Sequence, residues 1–227
     1  MIISFLFARV QSGTSTKGIF SKVFDDKIIV VNASGSSKQY VNGSKALAKP
    51  EYAIYPWDKD YDWCSNCGRS NDDHPWIAFS LDKRKIKFNG YFVRVGCCYD
   101  ANRCCCEDEH YNYCIDCCLY SWSLQISDDN KEWKEVHKIE RDNEMRYCKE
   151  KSYDLDKTYE TKYVRLIQNE ACPGDPPCIA LNKFELFGDV IPDGGEDENF
   201  VSYHDDDDDV SIIGHISKNG NVKIILL

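Results

Sequence analysis

Ser121-Trp122-Ser123-Leu124-Gln125-Ile126-Ser127-Asp128-Asp129-Asn130-Lys131-Glu132-Trp133 is the stretch that decides the fold. Trp122, Leu124 and Ile126 alternate with Ser121, Ser123, Gln125 and Ser127, which sends apolar side chains to one face and polar ones to the other. A period of two is the signature of a half-buried antiparallel strand. The run Asp128-Asp129-Asn130-Lys131 is a polar turn, and Trp133 opens the next line. Trp122 and Trp133 both fall on alternation positions and read as core residues.

The same shape recurs on either side. Upstream are Trp76-Ile77-Ala78-Phe79-Ser80-Leu81 and Tyr91-Phe92-Val93-Arg94-Val95; downstream are Tyr163-Val164-Arg165-Leu166-Ile167 and Phe184-Glu185-Leu186-Phe187-Gly188. No amphipathic helix interrupts them. Short strands separated by turns predict an all-β sandwich or jelly roll. With 227 residues, five Trp and fourteen Tyr, the chain can bury one ring-rich core and carry tails besides.

The formal charge of −10 is unevenly spread. From Asp189 onward ten acidic residues face Lys218 and Lys223, which leaves the preceding body near neutrality at −2. No basic stripe suited to phosphates is present, so nucleic acid is rejected as a partner. No apolar run reaches the length of a membrane span. Met1 to Ala8 is a short apolar stretch without a basic lead, though Val10-Gln11-Ser12 would serve as a small-residue cleavage site. The expected organisation is an arm or short signal segment over 1–24, a domain over 25–188, an acidic linker over 189–209 and a strand or hairpin tail over 210–227.

Thirteen cysteines are far more than usual, and eight lie between Cys97 and Cys118, in the one long stretch without alternation. Cys64-x-x-Cys67 with Cys114-x-x-Cys117 has the paired spacing of a tetrahedral zinc site. The same thiols would staple loops in an oxidising compartment. Disulfide, zinc and reduced thiol stand level on spacing alone. A cysteine nucleophile would need a base beside it, and no motif supplies one. Asn32-Ala33-Ser34 and Asn42-Gly43-Ser44 fit the glycosylation acceptor pattern and lean toward secretion. The weak leader and the acidic tail lean toward the cell interior.

In their order the landmarks resemble a discoidin domain, also called the coagulation-factor C-type domain. These are Trp63 after an acidic turn, His74-Pro75-Trp76-Ile77, the Trp122 to Trp133 stretch, Tyr163-Val164-Arg165-Leu166 and the closing Phe184-Glu185-Leu186-Phe187-Gly188. The likeness covers roughly Ile28 to Gly188. Lys17-Gly18-Ile19-Phe20 resembles the lead-in of protist versions, some of which are joined to BTB domains. The resemblance implies an eight-stranded antiparallel jelly roll, similar to galactose-binding modules, that binds a glycan, lipid or protein through loops at one end and is not an enzyme.

On that reading the ligand-binding candidates are Trp63, Arg69, Arg94, Arg103, Tyr111 and Tyr113, because ring faces stack on sugars and guanidinium forks hold hydroxyls or acids. Arg165 reads as a structural arginine, paired or stacked inside the barrel end. Asp58, Asp60 and Glu185 are candidate ligands for a structural calcium of the kind many family members hold. The chain departs from the family's Asp-Gly-x-x-Thr form there, and its insert over 97–118 is longer and richer in cysteine than usual. The alternative function is an intracellular adaptor acting through the acidic tail. There Val210, Ile212 and Ile213 resemble a SUMO-interacting motif, against the rival reading of a hairpin about Asn219-Gly220.

Overall fold

A computed structural model describes residues 18–41, 44–59, 61–97 and 118–193, together with the backbone of 212–216 and 222–226. The chain divides into two units, Met1–Asp193 and Gly194–Leu227. In chain order the first holds helix α1 (Ile19–Val23), strands β1 (Ile29–Ala33), β2 (Lys38–Val41) and β3 (Ser44–Leu47), and a 3-10 turn (Pro50–Ile54). There follow β4 (Trp63–Cys64), β5 (Trp76–Leu81), β6 (Arg84–Val95), β7 (Ser121–Ser127), β8 (Lys134–Ile139), β9 (Glu150–Thr161), β10 (Tyr163–Glu170) and β11 (Ala180–Pro192). In the second unit β12 (Ile212–Ile216) pairs antiparallel with β13 (Val222–Leu226), so these residues form a hairpin. Val210 lies outside the described residues.

All pairings are antiparallel. One layer runs β1-β5-β10-β7-β8 and the other β9-β6-β11-β4, and the tight turn after Leu81 joins them through a single paired position, Leu81 with Arg84. The chain passes between layers from β5 to β6, β6 to β7, β8 to β9, β9 to β10 and β10 to β11, the winding of a jelly-roll sandwich. The sheet counts nine strands where eight were expected, the extra one being the two-residue β4.

The alternation read from the sequence explains the core. Ile77, Phe79 and Leu81 of β5, Trp122 and Leu124 of β7, and Val164 and Leu166 of β10 point inward from one layer. Ile86, Phe88, Tyr91, Val93 and Val95 of β6 and Leu181, Phe184 and Leu186 of β11 point inward from the other. Phe79 and Phe184 stack across the sandwich with ring centres 4.8 Å apart. Along β6 the inward positions change parity between Phe88 and Tyr91, because a bulge shifts the register at Phe88/Gly90.

The domain starts earlier and ends later than expected. Ile19 and Phe20 are wholly buried, with the Phe20 ring 5.1 Å from Phe79, so α1 belongs to the core and not to an arm. β11 continues through Pro192, which takes the first residues of the expected acidic linker into the sheet. Trp133 is also corrected. It is half-buried on the outer face of its layer, with the Arg165 guanidinium 4.1 Å from its ring centre. β10 alternation turns Arg165 outward, where it also donates to Gln125 Oε1 from Nε at 2.9 Å. It is therefore stacked, as expected, but on the sheet face and not inside the barrel end.

Between β6, β7 and β8 a polar link crosses the core. Trp122 Nε1 donates to Tyr91 Oη at 3.3 Å, and that oxygen lies 2.9 Å from His137 Nδ1. Burial pushes the Tyr91 phenol up, so it keeps its proton. Burial likewise pushes His137 down, with Asp156 opposing in part. Above about pH 6.5 both folded and unfolded chains hold neutral imidazole. As the pH falls below that, the unfolded chain takes up the proton first, and stability drops until the folded imidazole is protonated too. Urea unfolding between pH 7.5 and 5 should show this loss, and His137→Gln should flatten it.

Candidate functional site

Strand direction fixes which loops share an end. β6 ends at Val95, β7 starts at Ser121, β9 starts at Glu150, β10 ends at Glu170 and β11 starts at Ala180, all opposite to the Leu81–Arg84 turn. Every described cysteine lies at this end: Cys64, Cys67, Cys97, Cys118, Cys148, Cys172 and Cys178. Cys97 is bonded to Cys148 and Cys118 to Cys172, with Cα separations of 4.3 Å and 6.1 Å. Both feet of the cysteine-rich insert are thereby fastened to neighbouring strand-end loops.

Two buried polar side chains brace this end. Asp62 is almost wholly buried; its Oδ2 accepts from Cys97 N at 2.8 Å and its Oδ1 from Asn182 Nδ2 at 2.8 Å. Gln168 donates through Nε2 to the carbonyls of Cys118 at 3.1 Å and Cys178 at 2.9 Å. A buried polar group must find partners or cost stability, and the Asp62 carboxylate and the Gln168 Nε2 group find them by tying loops together. Neither role was visible in the sequence, since a lone Asp or Gln announces no distant partner.

Within this end the segment between β4 and β5 folds over the start of β5 and forms a cleft of about 420 Å³, lined by Ser34, Asn66, Cys67, Arg69, Asp73 and His74, among others. Asp73 Oδ2 accepts from the backbone N–H of Arg69 at 2.6 Å and of Ser70 at 3.1 Å, which fixes the loop and holds the Asp73 carboxyl below its usual range. His74 Nδ1 lies 3.0 Å from the Gln168 carbonyl. A carbonyl only accepts, so Nδ1 carries the proton and a neutral ring leaves Nε2 as an acceptor. Asn66, Arg69, Asp73 and His74 are all exposed. The cleft thus offers donors and acceptors of both charge signs.

The candidate residues distribute unevenly. Arg69 lines this cleft. Arg94 lines a different one, a groove of about 470 Å³ on the outward face of β6 and β11 with Phe92, Phe187, Lys183 and Glu150. There its Nε donates to Glu150 Oε2 at 2.6 Å and its Nη1 to Asp58 Oδ1 at 3.2 Å. Trp63 is not an exposed platform. It is fully buried, paired in β4 with Leu181 of β11, and its Nε1 donates to Ser36 Oγ at 3.0 Å. Arg103, Tyr111 and Tyr113 lie outside the described residues. Among the described residues no Phe, Tyr or Trp ring lines the Arg69 cleft.

The metal candidates also separate. Glu185 Oε1 accepts from the N–H groups of Phe20 at 2.7 Å and Leu186 at 2.9 Å. Its Oε2 accepts from Ser21 N at 2.9 Å and Ser21 Oγ at 2.7 Å. With four donors on two oxygens the carboxylate holds the start of α1 in place and has no lone pair to give a calcium ion. Asp58 is engaged by Arg94, and Asp60 lies outside the described residues. Cys64 and Cys67 are buried on and just after β4, whereas Cys114 and Cys117 are outside the described residues. Among the described residues no three His, Cys, Asp or Glu side chains stand together as a metal site.

The landmarks therefore sit on the strands of an antiparallel sandwich whose cysteine-bearing loops share one end. The fold is the antiparallel jelly-roll sandwich that the resemblance to discoidin domains implies. No protein-family model matches the chain, and no curated protein matches it. Among solved structures it is similar to the CBM32-5 module of Clostridium perfringens in complex with GalNAc-β-1,3-galactose, at 11% identity over 70% of this chain and 95% of that one, TM-score 0.49. It is similar also to chitosan-binding module 1 of a Paenibacillus chitosanase/glucanase, at 17% identity over 70% and 94%, TM-score 0.46. A third is a family 32 module of C. perfringens in complex with galactose, at 8% identity over 70% and 93%, TM-score 0.45. Likenesses at these scores add no weight to the choice of ligand. Among the described residues no helix is long and apolar enough to cross a membrane.

Proposed function

We propose that this discoidin-like domain is a non-enzymatic binding module that takes a glycan in the cleft beside Arg69. The observation that carries the reading is the mixture of groups in that cleft. Arg69 is a donor only, Asp73 an acceptor only, and Asn66 and the His74 Nε2 atom complete the set. A simple anion would meet Asp73 and a simple cation would meet Arg69. A neutral ligand dense in hydroxyls, each of which both donates and accepts, satisfies all of them. The loop is pre-set by the Asp73 hydrogen bonds to Arg69 and Ser70, so little ordering remains to be done on binding.

Screening the full chain on a glycan array and measuring the best hit by calorimetry tests this reading. Arg69→Ala should weaken that hit roughly 10- to 150-fold, the equivalent of losing one hydrogen bond to a charged group. A blank array, or an Arg69→Ala protein that binds as well as the parent, would overturn it.

A further inference from the structure

Asn32 of the acceptor motif Asn32-Ala33-Ser34 does not line the cleft just described, although Ser34 does, and the structure gives it a setting. Asn32 lies on β1, whose only strand partner among the described residues is β5, so among them β1 is the outer edge of its layer. Exposure alternates along β1, and Val30 and Asn32 share the face turned to solvent, Val30 being 44% exposed. An edge strand with an apolar residue facing water is a template for unwanted pairing, and folded proteins cover or charge such edges. β1 carries no charged side chain.

A second observation bears on the same point. Asparagine acceptors are modified only in a secretory compartment, and that compartment is oxidising. The Cys97–Cys148 and Cys118–Cys172 bridges join loops of one end of the sandwich, and bonds of this kind persist in oxidising compartments and are rare in the cytosol. Motif, exposure, edge position and bridges point to one place of residence.

We propose that Asn32 carries an N-linked glycan that shields the β1 edge and Val30. In the transfer, Asn32 Nδ2 bonds to the anomeric carbon of a sugar supplied on a lipid diphosphate. The sugar–phosphate bond breaks, the diphosphate leaves with the electron pair, and the amide gives up one proton. The Ser34 hydroxyl is required only while the extended chain is modified; in the fold its Oγ accepts from Trp76 N at 3.1 Å. The proposal does not depend on which ligand the Arg69 cleft takes.

The test uses the full chain purified, with thiols blocked, from the cells that naturally make it. Peptides are analysed by mass spectrometry before and after enzymatic release of N-glycans in heavy-oxygen water. The peptide containing Asn32 should carry a glycan and, after release, an acidic side chain labelled with heavy oxygen. Asn32→Gln and Ser34→Ala should each abolish that signal and increase gel mobility, whereas Ser34→Thr should keep both as in the parent. An unmodified Asn32 peptide would overturn the proposal, and so would a glycan that survives Asn32→Gln at the same peptide.

Discussion

Replacing Cys97 and Cys148 together by serine should lower the midpoint of thermal unfolding by about 8–16 °C. The bridge closes a loop spanning 51 residues, and the chain-entropy treatment of such a loop gives about 4 kcal/mol. For a domain of this size each kcal/mol moves the midpoint by about 2–4 °C. The hydrogen bonds at the junction survive the change. Cys97 N still reaches Asp62 Oδ2, and the residue at 148 still donates its N–H to Gly96 O at 3.0 Å. The loss should therefore appear in stability and leave the far-ultraviolet β signal of the native state intact. Calorimetry of parent and double variant, each with and without reductant, checks it. A parent whose midpoint ignores reductant would show that Asp62 and the backbone hold the junction unaided.

Gly188→Ala should cost still more in proportion to its size. Gly188 adopts φ +151°, and a Cβ there would fall 2.0 Å from the Lys87 carbonyl oxygen and 2.8 Å from the Phe88 Cα. Both are backbone atoms of the paired strand β6, at the point where the register shifts between Phe187 and Gly188. No rotamer change relieves the contact, so the two central strands of one layer must part. Backbone strain and overpacking each cost about 1–3 kcal/mol, so the sum is about 2–6 kcal/mol. Urea unfolding should show a midpoint shift of that size, and expression should fall with it. Gly174→Ala is the control for backbone strain alone, since Gly174 takes φ +91° and no atom lies within 4 Å of its added carbon.

The strands were legible because each is a local pattern. Trp76–Leu81, Tyr91–Val95, Ser121–Ser127, Tyr163–Ile167 and Phe184–Gly188 all lie in the sheet, and their alternation names the inward residues correctly. What escaped the sequence is non-local or too short to show a period. α1 has five residues and the 3-10 turn another five, yet Ile19, Phe20, Tyr52, Ala53 and Ile54 are all core. Trp63 follows an acidic turn and so reads as exposed, but β11 and the 3-10 turn close over it. Trp133 reads as core, but it begins the line after a turn at which Asn130 takes φ 58°, and the chain leaves that turn with Trp133 facing outward. The two-residue spacing of Cys64 and Cys67 drew attention to local pairs, whereas the bridges described here join residues 51 and 54 apart. Arg69 lines the candidate cleft, and its guanidinium in a polar loop was legible in the sequence. Asn66 and Asp73 were missed because a polar loop offers no pattern until the strands beneath it are set.

The feet of the cysteine-rich insert carry one more consequence. Cys97 precedes the insert and Cys148 follows it, so that bond spans the insert, whereas Cys118 and Cys172 both follow it. A protease that nicks the chain anywhere over 98–117 would leave two fragments still joined by Cys97–Cys148, each half keeping its strands in register. Such a clipped molecule travels as a single species until it meets a reductant, which lets this domain outlast a cut anywhere between those two cysteines' neighbouring strands.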